Sequence, residues 1–250
     1  GPPRLLLTSD LNRVTLSLPE IGWAKPAATP GRLVVEGRLG APVQLDRIEI
    51  EAPGLAASGT LGLNEDGTLD RLAFDAVDLG WFTGRAALVG QGGAPPRWEI
   101  GGGTADLRRL PDLGGGARAG GSVPVIDVRL DRLRLGETLA LTGFRGRFGG
   151  AAAFTGQFAG AINGAEEVQG SLGPAANGRN AYAIRADDAG AVFRAAGIFS
   201  RGYGGALDLR IVEEEGQGRY SGEVRAGGMR VRDAPILAEL LGLISVVGLL

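Results

Sequence analysis

Residues 125–148 show a pattern of apolar and polar positions that recurs along the chain. From Ile126 to Leu130, apolar residues alternate with polar ones, which is the period of two expected of a strand with one buried face. The apolar row then slips, because Leu130 and Leu133 are three residues apart. In an unbroken strand these two leucines would lie on opposite faces, so the polar pair between them predicts a bulge or a bend. A turn at Gly136-Glu137 is predicted to lead into a second strand with the same slip.

The tetrapeptide Leu130–Leu133 has relatives elsewhere in the chain. Near copies occupy Leu45–Ile48 and Leu69–Leu72, and looser ones occupy Leu107–Leu110 and Leu11–Val14. Each copy falls within a strand pattern, which predicts hairpin-like units stacked side by side, each burying its apolar face against its neighbours. The alternative is chance similarity in a chain rich in leucine, aspartate and arginine.

Similar alternation continues to the end of the strand-rich region, for example at Leu207–Ile211, and a further strand is predicted over 191–199. One apolar and one polar face is typical of antiparallel sheets. The sequence therefore predicts an all-β, mostly antiparallel fold: a long curved, repeat-like sheet that forms an open hydrophobic groove. We treat 1–250 as a single elongated segment with a possible internal break at 111–122. Two sheets closed on each other as a sandwich are the alternative.

Only the C-terminal stretch 233–250 changes to a helical period, with Asp233 as the expected N-cap and Pro235 in the first turn. An amphipathic helix there is predicted to pack on the groove or to plug it. This stretch alone is shorter than the roughly 20 residues that a spanning helix needs. The alternative is therefore a membrane span that continues past residue 250. The residues predicted to cap or plug the groove are Ile236, Leu237, Leu240, Leu241 and Ile244.

Composition narrows the possible chemistry. The chain has 45 glycines among 250 residues, a formal net charge of −2, and neither cysteine nor histidine. These absences exclude disulfides, thiolate or imidazole metal sites and histidine-based catalysis. No basic run suggests nucleic-acid binding, and no phosphate-binding or dinucleotide-binding motif is present. Carboxylates at Asp187-Asp188 and Glu213–Glu215 could hold calcium, but solvated loop charges explain them more simply. We expect no enzyme, cofactor or metal.

Three stretches resemble a known family: LSLPEIGWAKPAATPGRLVVEG (16–37), YAIRADDAGAVFRAAGIFSRGYGGALDL (182–209) and, most specifically, GGMRVRDAPILAELLGLISVVGLL (227–250). They are similar to the AsmA-like superfamily of Gram-negative envelope proteins, and to its large YhdP-type members. The resemblance implies a periplasmic fragment of an inner-membrane-anchored protein. Its expected function is non-enzymatic movement of phospholipids between the inner and outer membranes along a hydrophobic groove. Its expected partners are acyl chains, the two membranes and other envelope proteins.

The groove residues predicted on this basis are those of the apolar rows, and ordinary core packing is the alternative for each. They are Leu72, Phe74, Ile126, Val128, Leu130, Leu133, Leu141, Phe144, Phe148, Phe154, Phe158, Ile184, Leu207 and Leu209. Two other functions remain open. One is a periplasmic scaffold or assembly factor for outer-membrane proteins that captures a client strand at a sheet edge. The other is a closed β-sandwich that binds or hydrolyses carbohydrate, which an exposed row of Trp23, Trp81 and Trp98 would favour.

Overall fold

A computed structural model describes residues 3–111, 123–150, 153–215 and 219–232, and these residues form mostly β-structure. The first nine strands are β1 (Arg4–Ser9), β2 (Leu16–Leu18), β3 (Trp23–Lys25), β4 (Arg32–Arg38), β5 (Gln44–Ala52), β6 (Leu55–Leu63), β7 (Leu69–Asp78), β8 (Phe82–Gln91) and β9 (Ala94–Asp106). The others are β10 (Val123–Arg134), β11 (Ala140–Gly150), β12 (Thr155–Ile162), β13 (Glu166–Pro174), β14 (Asn180–Ala186), β15 (Gly202–Tyr203), β16 (Ala206–Glu213), β17 (Tyr220–Gly227) and β18 (Arg230–Val231). The helical elements are α1 (Ala189–Ala195) and the 3₁₀ turns Pro19–Ile21 and Leu107–Arg109.

Fourteen strands form one sheet in the order β1-β4-β5-β6-β7-β8-β9-β10-β11-β12-β13-β14-β16-β17. The order follows the chain, apart from two small antiparallel sheets, β2-β3 and β15-β18. The predicted fold class is therefore confirmed: a long, mostly antiparallel, open sheet, with β1 and β17 at its edges. The alternative of two closed sheets is wrong. The helix predicted over 233–250 lies outside the described residues.

The strand predicted over 191–199 is wrong, because α1 occupies most of that segment. Asp188 provides the N-cap: its Oδ1 accepts a hydrogen bond of 2.7 Å from the backbone N–H of Ala191. Ala189 and Val192, three residues apart, are both buried, as expected of one face of a helix. The cap and this short apolar spacing decide the local structure in favour of a helix.

Bulges occur where the repeated tetrapeptide predicts them. The register of β5 on β6 shifts between Leu45 and Ile48, and that of β6 on β7 shifts opposite the copy at Leu69–Leu72. In β11 the shift lies between Thr142 and Arg145. An extra residue in one strand restores the alternation after the polar pair, so the apolar residues on both sides of the bulge share a face.

The chain divides into two compact units. Unit 1 comprises Gly1–Ala119 with Pro124–Leu130, and unit 2 comprises Gly120–Val123 with Asp131–Leu250. Apart from Pro111, the predicted break at 111–122 lies outside the described residues. The prediction of a single elongated segment stays a prediction.

The β2-β3 hairpin of unit 1 contacts the connection between β5 and β6 and has two buried side chains, Trp23 and Lys25. The indole N–H of Trp23 donates to the carbonyl of Pro53 at 2.9 Å. Lys25 is only 1% exposed, and its Nζ donates to the carbonyls of Leu11, Val14 and Pro26 at 2.7, 2.9 and 3.1 Å. An ammonium group has three donors, so these carbonyls satisfy it fully and allow its burial.

Candidate functional site

The two faces of the sheet in unit 2 differ in chemistry. Residues directly opposite each other in neighbouring strands share a face, and the registers of β11 to β17 collect nearly all large apolar side chains on one of them. We call this the apolar face. Its large residues are Leu141, Phe144, Phe148, Phe154, Phe158, Ile162, Val168, Leu172, Tyr182, Ile184, Leu207, Leu209, Ile211, Tyr220 and Val224.

The opposite face, which we call the charged face, balances its own charges. Arg145 pairs with Glu167 across β11, β12 and β13. Asp208 pairs with Arg185 at 3.4 Å and with Arg210 at 3.2 Å. These side chains are largely exposed, so each pair adds little stability, about 0–1 kcal/mol. Solvation and mutual pairing leave this face without need of a covering layer.

One end of the apolar face is buried under α1 and the chain that follows it. We call it the covered end, and its residues include Leu141, Phe144, Ile162, Val168 and Leu207, all less than 9% exposed. The helix contacts β13 and β15. At the end of α1, the side-chain amide of Asn163 donates to the carbonyl of Ala195 at 2.7 Å and ties the helix to the β12-β13 turn.

The other end of the same face has no such cover among the described residues. We call it the open end: Phe148, Phe154, Phe158, Leu172, Tyr182, Ile184, Ile211, Tyr220 and Val224, all half-buried or exposed. Phe154, Tyr220 and Val224 are 36%, 37% and 44% exposed. Extensive contacts between described strands are those of hydrogen-bonded neighbours, so no second layer of strands packs on these residues. The open end is a contiguous apolar surface.

Phenylalanine rings lie across glycines of neighbouring strands and flatten the open end. A Cβ added at Gly170 would come within 2.2 Å of the Phe158 ring, and one at Gly156 within 2.2 Å of the Phe148 ring. Rings laid over glycines in this way protect the bare backbone from water. The ring centroids of Phe144 and Phe158 are 5.9 Å apart. Those of Phe148 and Phe154 are 5.8 Å apart, which makes the aromatic surface continuous.

A small polar group borders the open end where β14, β16 and β17 begin or finish. The rings of Tyr182 and Tyr220 meet edge to face, with centroids 6.3 Å apart. Glu213 lies directly opposite Tyr220, and its Oε2 accepts a hydrogen bond of 3.0 Å from the Asn180 amide. Burial, followed by the nearby Tyr220 and Glu213, raises the pKa of Tyr182 to about 12. Burial and Glu213 also raise the pKa of Tyr220. Both hydroxyls therefore stay protonated at neutral pH.

Unit 1 carries an apolar face of the same kind, with fewer aromatic residues. Val35 lies opposite Ile48, and Leu72 lies opposite both Leu61 and Leu88. These residues are half-buried. On its other face, Glu99 pairs with Arg71 and Arg97 at 2.9 and 2.8 Å. The same division into an apolar and an ion-paired face thus occurs in both units.

The predicted groove residues divide by burial. Leu130, Leu133, Leu141, Phe144 and Leu207 are buried; Leu72, Phe74, Ile126, Val128, Phe148, Phe158, Ile184 and Leu209 are half-buried; Phe154 is exposed. The structure joins Phe144, Phe148, Phe154 and Phe158 in one cluster. Their role in lipid binding stays a prediction. The predicted plug residues, Ile236, Leu237, Leu240, Leu241 and Ile244, lie outside the described residues.

The predicted groove residues did not include Leu172, Tyr182, Ile211, Tyr220 or Val224, although the open end contains all five. Leu172, Ile211, Tyr220 and Val224 share the apolar face by register, and alternation within their strands was the signal for them. The position of Glu213 on this face could have been found by counting two residues on from Ile211. Such counting is valid only if the strand extends as far as Glu213, and alternation alone does not show where β16 ends.

Three of the five carboxylates considered for calcium have partners within the protein. Asp188 caps α1, Glu213 accepts from Asn180, and Glu214 accepts from the hydroxyl of Ser221. No group of three potential metal ligands occurs among the described residues. Trp23 is buried, so the three tryptophans do not form an exposed row.

In the part of the chain that the structure describes, none of the helices has the length and apolarity needed to cross a membrane. Comparison of the chain with family models, curated proteins and solved structures gives no match. The resemblance to the AsmA-like superfamily therefore stays a prediction, and function is argued from the surface itself.

Proposed function

We propose that this protein binds phospholipid acyl chains on its apolar faces and carries phospholipids between the inner and outer membranes of a Gram-negative envelope, without catalysing a reaction. The observation that supports this most is the open end of unit 2. It is a flat, continuous apolar surface on an otherwise ion-paired sheet, and it is open to solvent among the described residues.

The energetics suit a passive carrier. Moving a two-chain lipid through water exposes on the order of thirty methylenes at about 0.8 kcal/mol each, or about 25 kcal/mol in all. A protein surface that replaces water around the chains removes much of this barrier. Strands of about eight residues span about 27 Å, which is comparable to the length of an extended acyl chain.

The expected setting is the periplasm, as part of an inner-membrane-anchored protein, as the family resemblance implies. Membranes and lipid acyl chains are then the main partners, and other envelope proteins are further ones. No cofactor or bond-making residue is needed for this activity, because the work is done by apolar contact alone.

A second candidate is the capture of a client strand during outer-membrane protein assembly. The strand β1 lies at an edge of the sheet, and Leu6 within it is 69% exposed. Edge strands of this kind can pair with an added strand. In this case an added polypeptide would bind at β1 and not on the apolar face.

Lipid extraction and mass spectrometry after gentle purification test the proposal, together with transfer of a fluorescent phospholipid between vesicles. We expect co-purified phospholipid and protein-dependent transfer. Leu172→Glu should abolish both, because it places a charge on the apolar face.

Ser171→Glu is the matched control, since Ser171 precedes Leu172 on the other face of β13 and is exposed. The control should keep both activities. The proposal would be contradicted if both variants keep lipid transfer, or if both lose it to the same extent. Crosslinking of polypeptide to β1, without any crosslinking of lipid to the open end, would favour the second candidate.

A further inference from the structure

Glu213 is unusual in its position. Among the described residues of the open end and its border it is the only charged side chain on the apolar face, and it is half-buried. Asn180 holds one carboxylate oxygen at 3.0 Å, and no arginine or lysine of the described chain pairs with it. A carboxylate at the border of an apolar surface, left without a cation, is suited to bind one from outside.

Two aromatic rings complete the surroundings of this carboxylate. Tyr220 lies directly opposite Glu213, and the Tyr182 ring meets the Tyr220 ring edge to face. Aromatic faces attract organic cations, and the effect strengthens where water is partly excluded. The raised pKa values of both tyrosines agree with a negative charge nearby. A carboxylate beside paired tyrosine rings favours an alkylammonium ion over an anion.

Other charged groups near this border have different partners or face elsewhere. Arg179 donates to the backbone carbonyl of Glu214. Glu214 accepts from Ser221, and Arg219 is exposed and lies immediately before β17. Glu213 therefore stands apart from them as the group that faces the apolar surface.

We infer that Glu213, Tyr182 and Tyr220 form a headgroup site that binds the ammonium group of an amine-bearing phospholipid whose acyl chains lie on the open end. This inference rests on the proposed function and adds a preference for one headgroup class. The chains would extend from the border towards Phe148 and Phe158, and the hydroxyls of the tyrosines would remain available as hydrogen-bond donors to the phosphate.

The test compares phosphatidylethanolamine with phosphatidylglycerol of identical acyl chains, binding to the purified full chain. We expect the wild type to bind the ethanolamine lipid more tightly. Glu213→Gln should weaken that binding about tenfold, because a charge-assisted hydrogen bond is lost, and leave the glycerol lipid unchanged. Tyr220→Leu should also reduce the preference, whereas Tyr220→Phe should largely retain it.

Glu214→Gln is the matched control, because Glu214 is the next residue and its carboxylate is bound to Ser221; it should change neither affinity. Equal binding of both lipids, or an unchanged preference in Glu213→Gln, would overturn the headgroup site while leaving the proposed function intact. Binding of neither lipid would overturn both. Binding of free ethanolamine with neither lipid would show an amine site unrelated to lipid and would also overturn the inference.

Discussion

The covered end and the open end of unit 2 are made by the same strands and carry the same kinds of residue on the same face. They differ in what lies above them. At the covered end α1 excludes water, so that Val168 is only 1% exposed, whereas at the open end Val224 is 44% exposed. Apolar alternation along a strand therefore specifies a face but not its cover. At the covered end that face serves stability, whereas among the described residues the open end stays exposed to solvent.

The largest expected difference between the two ends is in stability. Phe144→Ala removes a ring that is 7% exposed at the covered end and should lower the free energy of unfolding by about 3–5 kcal/mol. Phe154→Ala removes an exposed ring at the open end and should cost less than about 1 kcal/mol. Urea unfolding of both variants measures this. Similar losses in the two would mean that the ends are covered alike.

The contact between rings and glycines gives the next largest effect. Gly170→Val would force the Phe158 ring off the strand beneath it, and we expect a loss of about 1–3 kcal/mol from overpacking. Gly173→Val is the control in the same strand, because a Cβ there meets nothing within 4 Å. It should be neutral or slightly stabilising, since valine favours strands. Thermal unfolding distinguishes the two variants. A larger loss of stability in Gly173→Val than in Gly170→Val would contradict the conclusion that the Phe158 ring lies against Gly170.

Weakening the cover itself should have a moderate effect. Asp188→Ala removes the N-cap of α1 and should cost about 1 kcal/mol. Asp187→Ala, one residue earlier and exposed, should change stability by less than about 0.5 kcal/mol. Hydrogen exchange should quicken in α1 and around Val168 for Asp188→Ala alone. Unchanged exchange at Val168 would show that α1 is not what covers it.

The two tyrosines at the border of the open end should respond to pH under alkaline conditions. Burial chiefly raises the pKa of Tyr182 to about 12, from an ordinary value of 10.0. The unfolded chain thus loses this proton first, so the contribution of Tyr182 to stability is complete below pH 10 and is lost as the pH rises towards 12.

Tyrosinate absorbance should accordingly show a component near pH 12 that Tyr182→Phe removes and Tyr203→Phe keeps. The same component in Tyr182→Phe would contradict the assignment. At neutral pH neither substitution should produce a pH-dependent change in stability.

Much of the strand content followed from alternation, and the bulges followed from the three-residue spacing of leucines such as Leu69 and Leu72. The helix α1 did not, because its seven residues include alternating apolar positions that also suit a strand; the cap from Asp188 and the buried pair Ala189 and Val192 decide for a helix. The candidate site was partly predictable. Phe148 and Phe158 stood out as large residues of the apolar row, whereas Glu213 looked like one of three loop carboxylates until its register opposite Tyr220 placed it on the apolar face.

The most direct test of an open, lipid-binding apolar surface uses single fluorescent labels, because the chain contains no cysteine of its own. Val224→Cys places a label on the open end, and Arg225→Cys places one on the charged face of the same strand. Phospholipids with brominated acyl chains should quench the label at position 224 strongly and that at 225 weakly. Equal quenching at both positions, or none at 224, would contradict the account.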